Sequence, residues 1–470
     1  MQDPTWITLL PPLLAIALAI VTRQVFLSLA AGIWLGWTIL AGGNPITGLA
    51  QAIDGTVDVL GDSGNAKVIL FTLIIGALIA TIESSGGVRG FVRWVEERRW
   101  VSSGKHAQVL AWVIGLVIFI ESNITVLVAG AISRPLFDRY RISREKLAYI
   151  IDSTSAAVCI LIPLNAWGAY ILSLLGELGV EQPLSVFVSS IPLNFYAIAA
   201  VVLAGASAFL NLEFGPMRAA QARSELGEVL SDGATPLLDP AQFAGSANWR
   251  VTENARNMIL PIIVMVLMMP IGLYITGGGD LRAGSGSTSV LWAVLAALAT
   301  AWALMLAQRA TTIDELTRTG MRGAGGLLSL AVVLLLALAL GNVVRTLGTG
   351  TYIASITAEV MPPVIFLPLV FLVAAFIGFS TGTSWGTFAI MLPIAVPAAE
   401  MLGLPAAPFV AASLSGGVFG DHASPISDTT IVSSMAAATD HIDHVRTQLP
   451  YALAAASAAT LLFAVTGAML

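Results

Sequence analysis

Residues 89–105 read RGFVRWVEERRWVSSGK, and residues 134–146 read RPLFDRYRISREK. Each stretch holds five basic residues: Arg89, Arg93, Arg98, Arg99 and Lys105 in the first, and Arg134, Arg139, Arg141, Arg144 and Lys146 in the second. One apolar element, 107–133, lies between them. Cytoplasmic flanks of membrane segments are enriched in Lys and Arg. A single crossing would leave one basic cluster outside. A hairpin that enters and leaves on the same side puts both inside, with its tip at ESNIT, Glu121–Thr125. Arms of about 12–14 residues reach roughly 20 Å, which passes the midplane of a core about 30 Å thick without crossing it.

Composition supports a membrane setting. Of 470 residues, 57% are hydrophobic and 11% charged, against about 25% charged in soluble domains. At least ten apolar runs are long enough to span a bilayer. The N-terminus, MQDPTW, has no basic leader, so the first apolar run is expected to be a retained helix. One cysteine, Cys159, excludes an intramolecular disulfide framework. A net charge of −6 with no basic stripe gives no support for nucleic-acid binding. The absence of Gly-x-Ser-x-Gly and HExxH patterns argues against a hydrolase, so no enzyme and no cofactor is expected.

The apolar runs fall into two sets of six around a polar stretch at 211–254. Sliding one set onto the other at a constant offset of 262 places Pro163 on Pro425, Pro135 on Pro397, Ser122 on Ser384 and Thr125 on Thr387. The second hairpin is then expected near 362–396, with its tip at STGTSWGT, Ser380–Thr387. Its flanks, 347–361 and 397–408, carry no Lys or Arg, which places them outside. Twelve plain spans are the alternative, and they leave a five-charge cluster on the wrong side. The predicted fold is an all-α polytopic membrane protein of two inverted-topology repeats. Residues 1–210 form the first (hairpin near 107–133, broken helix 147–175), 211–254 a cytoplasmic linker, and 255–470 the second (hairpin near 362–396, broken helix 409–435). Each repeat has about five transmembrane helices plus one re-entrant hairpin, with the N-terminus outside.

Candidate residues gather at the breaks. GGVFGDHASPISDTT, 416–430, places Asp421, His422 and Asp428 between apolar stretches. A charge at the bilayer centre costs about 2.5–3.5 kcal/mol on insertion scales. A hard cation such as Na⁺ wants an oxygen cage, and Asp421, Ser424, Ser427 and Asp428 supply carboxylates and hydroxyls within eight residues. A buried carboxylate also holds a proton more readily, so proton and Na⁺ can compete for it. Helix capping is the structural alternative for both Asp421 and Asp428. His422 is read as a proton tuner or as a hydrogen-bonded structural residue. Asp152 is read as a second cation ligand, an entrance charge or a cap. Ser122, Asn123 and Thr125 are neutral oxygen donors at the first tip, or satisfy their own turn. Glu121 beside them has no acidic counterpart, since its mate is Thr383. Ser384 and Thr387 are the second tip's counterparts, and Asn165 lies just beyond Pro163. His441 and His444, with Asp440 and Asp443, read as a water-facing helix connection, a pH-sensing cluster or a metal site. Asp54, Asp58 and Asp62 are expected on a solvated outer loop.

The stretch GGVFGDHASPISDTTIVSSMAAATDHIDHVRTQLPYAL (416–453) resembles the signature of the NhaC sodium/proton antiporter family. SWGTFAIMLPIAVP (384–397), the SNIT tip (122–125) and DSTSAAVCILIPLNAWG (152–168) are similar to that family's pattern as well. The resemblance is strong over 378–451 and weak at the N-terminus and linker. It implies the ion-transporter superfamily fold, usually as a homodimer of scaffold and transport domains in the cell inner membrane. It implies exchange of cytoplasmic Na⁺ for external protons, with cations held at Asp421, Asp428 and the Ser122–Thr125 tip. Related proteins exchange malate or lactate with Na⁺ and H⁺ coupling, which leaves a small organic anion, or Li⁺, as alternative cargo. No arginine falls clearly at the midplane to receive a carboxylate, which favours cations alone.

Overall fold

The computed structural model describes the chain except residues 1–4, 23, 98–100, 120, 121, 164, 237–252, 280–283, 350, 351 and 353–361. The fold is all-α, with no strand among the described residues. Among the described residues five helices are long and apolar enough to cross a membrane: Ser63–Ser84, Arg256–Thr276, Ser287–Ala307, Pro363–Thr381 and His441–Met469. Three bent pairs among these residues pass the same test together, and the number rises to eight if each pair is one span. Other apolar runs are divided by breaks into pieces too short to pass alone. The run over 147–175 is one such case.

That run is three helices, Arg144–Ser153, Ala156–Leu161 and Ala166–Glu177. The break at 162–165 coincides with Pro163, which lacks an N–H and disfavours helix before it. A second break, at Thr154–Ser155, falls in the polar patch DSTS that opens the broken stretch 152–165. There the Thr154 hydroxyl donates back to the Ile150 carbonyl and that of Ser155 to the Asp152 carbonyl, both at 2.7 Å. Such local bonds compete with the helical ladder. In the second half Ala406–Ala423 and Asp428–Ala437 flank a single break around Pro425.

The outer loop expected to carry Asp54 and Asp58 is instead a helix, Pro45–Asp58, capped by Asn44 and bent 119° from its predecessor. The asparagine cap and Pro45 at the first turn are strong start signals. Asp54 and Asp58 are exposed on it, and Asp62 caps the helix that follows.

The sequence offset of 262 also aligns helix ends. It carries Ser122–Arg139 onto Ser384–Met401, Arg144 onto Ala406, Leu161 onto Ala423, Ala166 onto Asp428 and Ser84 onto Thr346, all of them helix boundaries. Pro135 and Pro397 lie inside equivalent helices. Asn165 and Ser427 are equivalent N-caps.

Glycine sets how closely the site-bearing helices approach. A Cβ at Gly416 would lie 2.4 Å from the Phe371 carbonyl oxygen, and one at Gly420 would lie 2.4 Å from the Ala375 oxygen and the Phe379 nitrogen. GGVFG is thus a small-xxx-small seam that brings Ala406–Ala423 into backbone contact with Pro363–Thr381. Gly130 does the same between halves, where a Cβ would meet that of Ala436 at 2.7 Å.

The described part of the linker is built onto the two halves. It contains the helix Pro216–Glu225. Fully buried Lys146 pairs with Glu213, and Arg223 pairs with Glu145 at 2.6 Å. Tyr451 donates to the Leu212 carbonyl at 2.9 Å, and Ser231 bonds Asp443. Asp440 caps the last helix and accepts from the Thr235 amide at 3.0 Å. Burial pushes the Asp440 carboxyl up, but amide donors from Thr235, Asp443 and Ile442 outweigh it and hold the group below its ordinary range.

Candidate functional site

Asp421 sits in the last turn of Ala406–Ala423 and is 2% exposed. The helix ends after it because Ser424 is extended and Pro425 follows. The Ser424 hydroxyl fixes the break by donating to the Phe379 carbonyl at 2.7 Å. Opposite, Pro363–Thr381 closes at Gly382, whose φ of +68° suits glycine. The next helix starts at Ser384, whose hydroxyl and amide (3.2 Å) both donate to Asp421 Oδ2. Ser427 donates to Asp421 Oδ1 and caps the next helix by accepting from the Thr430 amide at 3.4 Å. Its oxygen lies 3.0 Å from that of Thr429.

One carboxylate therefore joins three segment ends. Two are helix N-termini, at Ser384 and Asp428, whose partial positive charge favours an anion. The hydroxyls that donate to Asp421 keep lone pairs, so their oxygens can turn to a cation held by the same carboxylate. Thr387 is fully buried and donates to the Thr383 carbonyl at 2.8 Å, which ties it to the turn. Asp428 opens its helix, and its side chain lies outside the described residues.

The first-half break has the same plan with neutral groups. Ser122 and Thr125 are buried, and Thr125 donates to the Ile118 carbonyl. Asn165 caps the Gly168 amide at 3.0 Å and donates to the carbonyls of Phe119 (3.0 Å) and Cys159 (2.8 Å). Cys159, the counterpart of Asp421, also points at the Phe119 carbonyl, at 3.5 Å. Glu121 and the Asn123 side chain lie outside the described residues. The two breaks meet through aromatic rings. Trp167 lies 4.9 Å from Trp385, and Tyr170 donates to the Trp385 carbonyl at 2.8 Å, one residue from Ser384.

His422 turns away from the ligands of Asp421. Its ring is held by Ser153 (3.1 Å) and Tyr196 (2.5 Å), both of the first half. Adjacent helical residues do not share a face. Beside it lies a second cluster. Asp152, 2% exposed, accepts at Oδ2 from Gln448 Nε2 at 2.8 Å, with His444 Nε2 at 3.3 Å. Gln448 also donates to the His422 carbonyl at 2.6 Å. His444 was expected to face water and is fully buried. His441 braces the break instead, with Nε2 2.6 Å from the Pro425 carbonyl and Nδ1 3.0 Å from the Ser434 hydroxyl. The carbonyl accepts, so Nε2 carries a proton. Among the described residues no group of three or more His, Cys, Asp or Glu could hold a metal ion.

Tyr196 and Gln448 were not anticipated. Gln448 carried a signal, since it lies one turn beyond His444 on the same helix, just before the apolar run that begins at Leu449. Tyr196 carried none.

A family model described as the Na⁺/H⁺ antiporter family matches residues 175–468. The chain is 34% identical to an uncharacterized protein of Haemophilus influenzae over 98% of this chain and 90% of that one. Shorter stretches match a malate-2H⁺/Na⁺-lactate antiporter of Bacillus subtilis, 36% identical over 24% of each chain, and the arginine/ornithine antiporter ArcD of Halobacterium salinarum, 34% identical over 26% of this chain and 25% of that one. The YdaH transporter of Alcanivorax borkumensis shares the fold, with a TM-score of 0.57 at 15% identity over 89% of this chain and 88% of that one.

Proposed function

The chain belongs to the Na⁺/H⁺ antiporter family, and from that premise we propose that it exchanges cytoplasmic Na⁺ for external protons at Asp421. It is a multi-pass membrane antiporter, a transporter by family and fold. The observation that carries the finer reading is the Asp421 carboxylate, buried and ringed by Ser384 and Ser427 at the meeting of two helix N-termini. Such a group holds one cation at a time, either a proton or Na⁺, and competition between them is exchange. Asp428 adds a second acidic residue to the same break. Broken helices near the midplane are the usual site layout of secondary transporters.

The two halves are inverted repeats in this reading, set in the cell inner membrane with the N-terminus outside, and the chain pairs as a homodimer. The shared helix ends at an offset of 262 support the repeat. Re-entry of 107–133 is supported by its basic flanks and by a first arm, Gly104–Val117, of only 14 residues. At about 21 Å it falls short of the core thickness. In the second pair the first arm, Pro363–Thr381, is itself long and apolar enough to cross, and the second, Ser384–Met401, has 18 residues, so their re-entry rests on the repeat and on their uncharged flanks alone. In a Cys159→Ser background, single cysteines at 101–105 and 136–142 are expected to label from the cytoplasm only, and those at 402–405 from outside only. Outside labelling of either basic segment overturns the first hairpin.

The identity of the cargo is tested by proteoliposome flux with Na⁺, Li⁺, K⁺, malate and lactate in parallel. Na⁺ alone is expected to drive proton movement. A second reading, organic-anion exchange, is favoured by one observation. The Trp167 indole nitrogen is buried beside Trp385 without a hydrogen-bond partner, and an N–H donor there suits a carboxylate. Proton movement that requires malate or lactate would replace the cation-only reading with this one.

A further inference from the structure

We propose that Asp152 and His444 form a second proton-binding site, separate from Asp421, that loads and unloads in each transport cycle. The inference rests on the antiporter reading above and adds a ligand position to it.

A lone carboxylate as buried as Asp152 is an unpaired charge in a low-dielectric setting, which costs several kcal/mol. One proton shared with His444 removes that charge imbalance. The pair is neutral overall as carboxylate and imidazolium or as acid and imidazole. Gln448 donates to Asp152 Oδ2 in either form. Two further atoms of the pair, Asp152 Oδ1 and His444 Nδ1, are buried without hydrogen-bond partners, as is Gln448 Oε1. An oxygen and a nitrogen left open at opposite ends of a shared proton are the points where it can arrive and leave.

Few other ionisable groups face this pair. Tyr149 lies one turn back on the helix of Asp152, its ring 4.4 Å from that of Tyr451 on the helix of His444. His422 and Tyr196 come from the two other helices packed there. The nearby charges have partners of their own: Lys146 with Glu213, Glu145 with Arg223, Arg144 with Asp138. Asp443 bonds Ser231.

The cluster also spans the seam between the halves. Asp152, Ser153 and Tyr196 precede the linker, and His422, His444 and Gln448 follow it. Movement of one half against the other separates the carboxylate from the imidazole. Each then meets a different environment, and the shared proton is released to one side or taken up from the other. One proton enters and one leaves, with no other reactant.

The test uses the purified full chain in proteoliposomes with a fixed Na⁺ gradient, and finds the opposing pH gradient at which flux stops. This null point depends on the number of protons carried per Na⁺ and not on rate. His444→Gln and Asp152→Asn are both expected to keep flux and to shift the null point by about one proton per cycle relative to wild type. Slower flux with an unmoved null point is what a merely structural role gives, and it overturns the proposal. Where neither variant carries flux, protons released on addition of Na⁺ in detergent are counted for the wild type and for Asp152→Asn. A larger count from the wild type than from Asp152→Asn supports the second site, and equal counts overturn it. A wild type with no Na⁺-coupled proton flux rejects the antiporter reading instead.

Discussion

Asp421→Asn is expected to fold normally and to lose Na⁺-driven proton flux by about 100-fold or more, which corresponds to roughly 3 kcal/mol of cation binding. Asparagine matches the shape of aspartate. Its carbonyl oxygen still accepts one serine hydroxyl. The other hydroxyl rotates to accept from the new amide, since a serine oxygen serves as donor or acceptor. The structural cost is therefore that of a rearranged hydrogen bond, about 1 kcal/mol. The lost charge is a different matter. Between opposite charges about 4 Å apart the attraction is near 4 kcal/mol even at an effective dielectric of 20, and the amide has neither that attraction nor a titrating proton. Proteoliposomes with an internal pH dye measure the outcome. Wild-type flux from the variant removes Asp421 from the mechanism. Asp421→Glu is expected to retain the charge but crowd the pocket, at a cost of about 1–3 kcal/mol, and to transport slowly.

Gly420→Val is expected to abolish transport and lower thermal stability together. A β-carbon at Gly420 would lie 2.4 Å from two backbone atoms of the facing helix, at Ala375 and Phe379. Backbone cannot move aside as the end of a side chain can, so the helices must separate. Overpacking of a tight core costs about 1–3 kcal/mol and occasionally more. Separation would also pull Asp421 from Ser384, because the donor belongs to the facing helix pair and the acceptor to the residue after Gly420. The unfolding midpoint in detergent and flux in proteoliposomes should fall in parallel. A variant of wild-type stability and flux would show that this seam does not set the position of Asp421. Gly42, whose surroundings are open, is the control: although its φ of +68° carries some strain, its replacement should leave flux intact.

Much of the fold was legible because hydropathy and proline act locally. Pro163 and Pro425 marked both breaks, and the offset between them anticipated helix ends as well as residue identities. The polar patch DSTS, 152–155, marked the other break of the first half, where two hydroxyls bond their own backbone. Pro45–Asp58 was hidden because acidic residues on one face resemble a loop when read without period. At the site, Asp421 with Ser384 and Ser427 could be chosen from residue type and spacing. The Asp152, His444, Gln448 and Tyr196 cluster could not. Its members are up to 296 residues apart, and His444 belongs to a segment whose charges suggested water. Burial of that histidine follows from how the last helix packs against Arg144–Ser153, which no local pattern contains.

The seating of Asp421 and His422 has a mechanical consequence. Consecutive helical residues project about 100° apart, and here one faces Ser384 and Ser427 while the other faces Ser153 and Tyr196. Rotation of this helix end about its own axis would therefore shift both sets of contacts at once. Whatever turns Asp421 against its two serines thus also turns His422 against Ser153 and Tyr196 in the other half.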